Sequence, residues 1–139
     1  MIWKLLKWLS FSLFSHTPGA TYNGGGLNIN ETKAYTGASQ IAVDEAVGIG
    51  ATDLAISLSL DVSAMTAIVI LADQVLTLEW NDTSGTQGSF VTKANIPYIW
   101  NTDSYDACLI DADVTQLYAT NASGVAARLR IAAVTDPTP

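Results

Sequence analysis

The chain has little of the chemistry on which many enzymes and metal sites depend: among 139 residues it contains one cysteine, Cys108, and one histidine, His16. A single cysteine cannot form an intramolecular disulfide or a cysteine zinc quartet, so we expect Cys108 to be a small buried apolar residue. His16 is remote from other candidate ligands, and a histidine-based metal centre or a Ser–His–Asp triad within one chain is not expected. We therefore predict no catalytic, cofactor-binding or metal-binding residues, and no cofactor.

Basic residues are also scarce, and they are unevenly distributed. Up to Gly26 the sequence has two lysines and no acid, whereas from Leu27 onward thirteen acidic residues accompany only four basic ones. A body of this sign repels phosphate backbones, and no basic stripe offsets the repulsion. Nucleic acid is therefore not expected as a partner.

Long apolar runs are missing, since none reaches the roughly 20 residues that a helix needs to cross a bilayer. The most apolar segment is the first 14 residues, MIWKLLKWLSFSLF, which hold two of the four tryptophans, two lysines and no acid. Leucines recur there at helical spacing, and aromatic residues widen the apolar stripe beyond that of an ordinary surface helix. We predict a hydrophobic docking arm over residues 1–14, for which a helix is one available conformation. Its candidate partner-binding residues are Trp3, Lys4, Leu5, Leu6, Lys7, Trp8, Leu9, Phe11, Leu13 and Phe14.

Three interpretations of this arm compete. A secretory signal begins with a similar mixture of basic and apolar residues, but tryptophans are unusual in it and no clear A-x-A site follows. An interfacial membrane helix suits the Trp/Lys/Leu composition, and an arm that fills a groove on a neighbouring protein suits it equally well. We expect the arm to be retained and to dock on protein, with attachment to a membrane surface as the alternative.

The following segment, residues 15–26, reads SHTPGATYNGGG and is rich in glycine, with a proline and an asparagine. This composition predicts a flexible linker. Its glycines lack the spacing of the phosphate-binding loops, and no helix is predicted after them. The predicted organisation is therefore an arm (1–14), a linker (15–26) and a β-domain (27–139).

From residue 27 onward the apolar residues recur with a period of two. The clearest example is Leu54, Ile56, Leu58 and Leu60, which alternate with small residues. Ala67–Leu71 is a short continuous apolar run that predicts a central strand buried on both faces. Further strands are predicted at 27–30, 41–43, 75–80, 89–93, 98–100, 114–120 and 126–134. Strands spaced by roughly ten residues, with no helical window, predict an all-β fold, an antiparallel β-sandwich or jelly-roll-like domain.

Two tryptophans lie at the ends of predicted strands, Trp80 and Trp100. In that position a tryptophan can stack on a sugar ring, or it can close the end of a β-core with its indole N–H bonded to a carbonyl. We expect core packing for both residues.

The last predicted strand alternates Leu129, Ile131 and Ala133 with Arg128 and Arg130. The two arginines lie two residues apart and therefore project from one face of the strand. Because the surrounding chain is acidic, we expect them to pair with acids of a neighbouring strand or a neighbouring subunit.

The densest acidic cluster consists of Asp103, Asp106, Asp111 and Asp113, in and just after a predicted loop at 101–112. Calcium needs six to eight oxygen ligands, and the loop lacks the glycine and the closing glutamate of the EF-hand pattern. A carboxylate pair for glycoside hydrolysis would need an acid in an apolar pocket, which nothing in the sequence indicates. We expect a solvated acidic turn, and Ca²⁺ binding stays open.

Four segments of the C-terminal half carry a family resemblance: 75–81 (VLTLEWN), 93–100 (KANIPYIW), 113–124 (DVTQLYATNASG) and 127–131 (ARLRI). Together they resemble small virion proteins of tailed bacteriophages, which are β-sandwich accessory proteins, often of the head-decoration or cement type. The likeness covers roughly residues 40–135 and depends on the sequences of strands and turns, with no catalytic motif. The arm at 1–14 lies outside it. It implies a non-enzymatic structural role on a particle, as symmetric oligomers that clamp the major capsid protein.

The sequence thus predicts a phage virion structural protein, most simply a capsid decoration or cement protein that docks through its arm. The expected partners are the major capsid protein or another virion protein, and sister copies in a homo-oligomer, with a trimer favoured. Two alternatives come from the class of binding modules. One is a β-domain tethered to a membrane surface by the arm, and the other is a carbohydrate-binding module that uses Trp80 and Trp100.

Overall fold

The computed structural model describes residues 14–136, and these residues form β-strands and turns with no helix. The strands in chain order are β1 (Phe14–His16), β2 (Gly19–Gly24), β3 (Leu27–Thr32), β4 (Tyr35–Gly37), β5 (Ser39–Val47), β6 (Leu54–Ile56), β7 (Met65–Ala72), β8 (Thr77–Trp80), β9 (Ser89–Val91), β10 (Tyr98–Asn101), β11 (Leu117–Thr120) and β12 (Ala127–Thr135). The all-β fold predicted from the period-two pattern is therefore confirmed. Within residues 14–136 no helix is present that could cross a membrane.

Two four-stranded antiparallel sheets form the body of the protein. Their strand orders are β10-β7-β12-β5 and β6-β11-β8-β9. The two strands of four consecutive pairs lie in different sheets: β5–β6, β7–β8, β9–β10 and β11–β12. The chain therefore passes from one sheet to the other within each of these pairs. This alternation is the topology of a jelly roll. The predicted antiparallel β-sandwich of jelly-roll type is confirmed.

The core lies between the two sheets because alternate side chains of each strand point inward. On β12 the residues Leu129, Ile131 and Ala133 are buried, while the arginines between them are exposed. On the facing sheet, Leu78 and Trp80 of β8 belong to the same buried cluster. The predicted inward faces of these two strands are thus confirmed.

The predicted strand at residues 54–60 is shorter than the pattern suggested. Ile56, Leu58 and Leu60 are buried as expected. However, β6 ends at Ile56, and beyond it only Leu60 forms an isolated bridge, to Val114. The side-chain amide of Gln116 donates to the carbonyl of Ile56 at 2.8 Å. This side-chain bond occupies a carbonyl at the point where the backbone hydrogen bonds between β6 and β11 are interrupted.

The segment predicted as an irregular linker, residues 15–26, contains regular structure instead. Residues 19–24 are strand β2, which pairs with β3 as an antiparallel hairpin. The reason is the turn: Gly25 and Gly26 both have positive φ angles, 58° and 81°, as a two-residue hairpin turn of the primed type requires. The prediction took the glycines as a signal of flexibility, although a glycine–glycine step between two strands also favours a hairpin.

A short ribbon of β1 and β4 lies across one end of the body. It pairs Phe14 with Gly37 and His16 with Tyr35. A side chain at Gly37 would overlap the carbonyl of Thr135 at the end of β12, so only glycine allows the ribbon to approach this closely. Most of the arm, residues 1–13, lies outside the described residues, and so do nine of its ten candidate partner-binding residues; the tenth, Phe14, begins β1.

Candidate interaction surface

An apolar groove opens at the edge of the body where β9 of one sheet lies near β10 of the other. It encloses about 280 Å³, close to the lower limit of small-molecule pockets. The rings of Phe90 and Tyr98 are tilted against each other at the two strands, with their centroids 5.8 Å apart. The groove is lined by Ile70, Phe90, Val91, Thr92, Lys93, Ile96, Pro97, Tyr98 and Leu109.

The crossing from β9 to β10 determines the shape of this groove. Thr92 is buried, and its hydroxyl accepts a hydrogen bond from the amide of Leu76 at 2.8 Å and donates to the carbonyl of Gln74 at 3.0 Å. The chain then turns through Asn95, whose φ is 61°, and Pro97 precedes β10. Proline is tolerated there because an edge strand has one side without ladder bonds.

Three apolar side chains of this groove are more than half exposed: Val91 at 58%, Ile96 at 59% and Leu109 at 51%. Single exposed apolar residues are normal on a protein surface, but a contiguous cluster marks an interaction site. We call Val91, Ile96 and Leu109, together with the ring of Tyr98 between the sheets, the groove surface. It is the strongest candidate for a functional site among the described residues.

Tyr98 holds the loop that follows β10 against the groove. Its hydroxyl accepts a hydrogen bond from the amide of Leu109 at 2.9 Å and lies 3.8 Å from the Sγ atom of Cys108. Burial raises the pKa of Tyr98 to about 12; the hydrogen bond from the Leu109 amide opposes this rise, and the contact with Cys108 and the charge of Asp106 reinforce it. Tyr98 is therefore a neutral phenol at physiological pH. Cys108 packs against the core, in agreement with the predicted apolar role, but it is only half-buried.

The acidic cluster has structural partners and does not converge on one point. The carboxylate of Asp103 accepts hydrogen bonds from Lys33 and from the hydroxyl of Tyr35. The carboxylate of Asp113 accepts a hydrogen bond from the amide of Val62 at 3.0 Å. Lys33, and after it Tyr35, lowers the pKa of Asp103. Within residues 14–136 no three acidic, histidine or cysteine side chains lie close enough to hold a metal ion. The geometry offers no assembled Ca²⁺ site in this part of the chain.

The two body tryptophans have different environments. Trp80 is 2% exposed, so its predicted place in the core is confirmed, but the predicted hydrogen bond is wrong because its Nε1 atom is buried without a partner among the described residues. Trp100 is half-buried, and its Nε1 atom donates to the carbonyl of Asp106 at 3.1 Å. Trp80 therefore has no face to offer to a sugar ring.

His16 lies in the β1–β4 ribbon opposite Tyr35. Burial lowers the pKa of its imidazole, so it is neutral at pH 7. Its Nδ1 atom has no hydrogen-bond partner in the described part of the chain. This arrangement indicates that His16 packs within the ribbon.

The hairpin of β2 and β3 is a second surface with apolar residues. Every residue of β3 is exposed, including the large side chains Leu27 and Ile29. A two-stranded hairpin by itself is of marginal stability in water. The hairpin therefore has side chains available for contact, although fewer apolar ones than the groove surface.

Sequence reasoning missed the groove surface. Val91, Ile96 and Leu109 come from a short strand and two loops, and no periodic pattern connects them. One signal was available: Ile96 is a large apolar residue directly before a proline, between the strands predicted at 89–93 and 98–100. No protein-family model, no curated protein and no solved structure matches the chain.

Proposed function

We propose that this protein is a non-enzymatic structural protein of a phage virion, a capsid decoration or cement protein that docks through residues 1–14. The observation that carries the proposal is the groove surface, where three large apolar side chains are more than half exposed on one edge of the body. Such a surface is typical of a protein that is covered by another protein in its working state.

The fold supports this proposal at the level of architecture. Jelly rolls occur in viral capsid domains and in lectins, although a fold alone does not decide function. The segments that carry the sequence resemblance to phage virion proteins lie in β8, β10, β11, β12 and the turns beside them. These strands form parts of both sheets of the sandwich.

The distribution of charge and apolar surface supports docking through the arm. The arm carries two lysines and no acid, while the rest of the chain is strongly acidic. Each large apolar side chain that becomes buried contributes roughly 1.5–3 kcal/mol before the cost of ordering the arm. Many symmetric copies on one particle add avidity, so no single interface has to be large. The protein would thereby hold neighbouring shell subunits together.

Co-sedimentation with purified phage particles and with anionic liposomes tests this function. The arm variant is the full-length double substitution Trp3→Glu/Trp8→Glu, and the matched control is Ile49→Glu/Val125→Glu, at two exposed apolar positions of the body. We expect the wild type and the control to pellet with particles, and the arm variant to stay in the supernatant.

The opposite results identify the alternatives. Pelleting with liposomes alone would contradict the virion function and favour a membrane-tethered β-domain. Equal pelleting of the arm variant and the wild type would show that the arm is not the docking device. The carbohydrate-binding alternative has lost one of its two aromatic residues, because Trp80 is buried.

A further inference from the structure

We propose that the groove between β9 and β10 receives residues 1–13 of a second copy of this chain, so that copies associate head to tail. This inference depends on the proposed function, because it names a sister subunit as the partner of the docking arm. The arm and the groove are two different surfaces, and each copy carries both.

The chemistry of the groove matches that of the arm. The lining is mostly apolar, with Ile70 of the central strand β7 and the ring of Tyr98 among the buried or half-buried residues, and Ile96 and Leu109 among the exposed ones. The arm supplies large apolar side chains, which are tryptophans, leucines and phenylalanines. A groove of about 280 Å³ suits side chains of an arm that lies along it.

Charge at the groove is also complementary to the arm. The charge of Asp106 lies near enough to Tyr98 to act on its hydroxyl, and Asp111 follows the groove residue Leu109 by two positions. Lys93 is the one charged residue of the lining itself, whereas the loop after β10, which contributes Leu109 to the lining, carries Asp106 and Asp111. An arm that carries lysines and no acid is attracted to that loop.

The direction of the chain at β1 indicates that the arm binds the groove of a second copy and not the groove of its own copy. His16 pairs with Tyr35, whose hydroxyl contacts Asp103 just after β10. Phe14 pairs with Gly37, which lies against Thr135 of β12, on the side where β12 pairs with β5. Strand β1 therefore runs towards the β10 edge, and Phe14, where the described chain begins, lies on the opposite side, away from the groove of its own body.

Residues 1–13 are long enough to reach another body. Thirteen residues span about 45 Å when extended and about 20 Å as a helix. An arm of one copy in the groove of the next is a heterologous contact, which produces a ring if the rotation closes. A closed ring of three copies would agree with the trimer predicted from the sequence resemblance.

Molar mass measured by size-exclusion chromatography with light scattering tests the inference on full-length chains. The groove variant is Ile96→Glu/Leu109→Glu, the arm variant is Trp3→Glu/Trp8→Glu, and the control is Ile49→Glu/Val125→Glu. All six positions lie in the arm or are more than half exposed, so the glutamates remain hydrated in the free body. We expect a closed oligomer for the wild type and the control, and a monomer for the groove and arm variants, which is a threefold loss of mass if the ring is a trimer.

Mixing the two defective variants gives the decisive result. The groove variant retains a functional arm and the arm variant retains a functional groove, so one contact is restored and the mixture should form a one-to-one dimer that grows no further. A monomeric wild type, an oligomer that survives in the groove variant, or a mixture that stays monomeric would overturn the inference. Circular dichroism of each variant checks that it is folded.

These outcomes separate the inference from the proposed function. If the groove variant keeps the oligomer while the arm variant no longer pellets with particles, the inference fails and the virion function stands. If the masses follow the expectation but the wild type does not pellet with particles, arm exchange stands and the virion function fails.

Discussion

At the scale of single residues, Trp80 and Gly88 show how one large side chain determines what its neighbour can be. The indole of Trp80 lies against the backbone of Gly88, and the amide of Trp80 donates to the carbonyl of Gly88 at 3.2 Å. A Cβ atom at Gly88 would overlap Cζ2, Cε2 and Nε1 of the indole. The apolar pattern of β8 predicted that Trp80 is buried, but nothing in the sequence near Gly88 predicted the contact between Gly88 and the Trp80 indole.

We predict that Gly88→Ala destabilises the protein by about 3 kcal/mol or more, because it overpacks the core and also has to adopt a φ of 145°. Urea denaturation at pH 7 measures the change. Two controls separate the causes: Gly124→Ala has a positive φ but open space around it, and Gly48→Ala has open space without that φ. We expect a loss of about 1 kcal/mol for Gly124→Ala and little change for Gly48→Ala. Equal losses in all three variants would contradict the role of the indole.

Asn121 illustrates a residue whose place the sequence indicated and whose importance only the structure shows. The sequence predicts a hairpin at 121–124. The segment does connect β11 to β12, but the predicted hairpin is wrong, because the two strands belong to different sheets. In the structure Asn121 is buried, and its Nδ2 atom lies within 3.2 Å of the carbonyls of Val47, Gly48 and Val125. The amide of Asn121 thus joins the end of β5 to the β11–β12 turn, a contact between residues more than 70 positions apart.

At the scale of elements, side-chain pairs join strands that are distant in sequence. Arg128 of β12 donates from Nε to Asp44 of β5 at 2.7 Å, which confirms for Arg128, one of the two arginines, the predicted pairing with an acid of a neighbouring strand. Lys33 and Tyr35 bind Asp103 and so join the segment around β4 to the loop after β10. The first pair follows from the alternation on β12, whereas the second depends on how the β1–β4 ribbon crosses the end of the body.

The contacts of Asp103 should make the stability of the protein depend on pH in acid. Because Lys33 and Tyr35 lower the pKa of Asp103 in the folded state, the folded protein binds fewer protons than the unfolded chain. The contribution is therefore complete above the unfolded pKa of about 3.9 and is lost as the pH falls through the lowered folded pKa. We predict that Asp103→Asn reduces the urea midpoint at pH 7 and that the difference from the wild type shrinks below about pH 4.

The matched control for this prediction is Asp111→Asn, an exposed acid of the same loop. At pH 7 its urea midpoint should differ little from that of the wild type. Other acids with a lowered pKa, such as Asp44 and Asp82, titrate in both proteins and cancel in the comparison. A difference between Asp103→Asn and the wild type that stays constant down to pH 2 would contradict the assignment.

At the scale of the whole molecule, stability is unevenly distributed. The strands β7 and β12 lie in the centre of one sheet and contribute fully buried residues such as Ile68 and Leu129. The β2–β3 hairpin forms a separate two-stranded sheet, and all of β3 is exposed. Regions with few buried apolar contacts open locally, without unfolding of the rest.

We predict that amides of the β2–β3 hairpin exchange with solvent on the order of 100-fold or more faster than amides of β12, because the hairpin opens locally and β12 exchanges only on global unfolding. Hydrogen exchange followed by mass spectrometry or NMR measures this ratio. Strand β7 is the internal control, since it pairs with β12 in the centre of the same sheet. Equal protection of the β2–β3 hairpin and β7 would contradict the prediction.

Much of the fold could be predicted because its causes are local. Alternation of apolar and polar residues produces a buried and an exposed face wherever a strand forms, so the inward residues of β8 and β12 were predicted correctly. The irregular linker at 15–26 was not, because Gly25 and Gly26 serve a hairpin as well as a flexible chain, and the pairing with Leu27–Thr32 decides between them. The groove surface was not predictable, because β9, β10 and Leu109 meet only when the two sheets stack.

The sequence by itself determined the fold class, the inward faces of the main strands, the acidity of the body and the apolar character of residues 1–14. Each of these depends on residue type and near-neighbour spacing. The tertiary structure alone decided that Trp80 packs on Gly88, that Asn121 joins β5 to the β11–β12 turn, and that Val91, Ile96 and Leu109 form one exposed apolar groove. These contacts join residues from different strands and loops, so they exist only once the chain has crossed between the two sheets of the jelly roll.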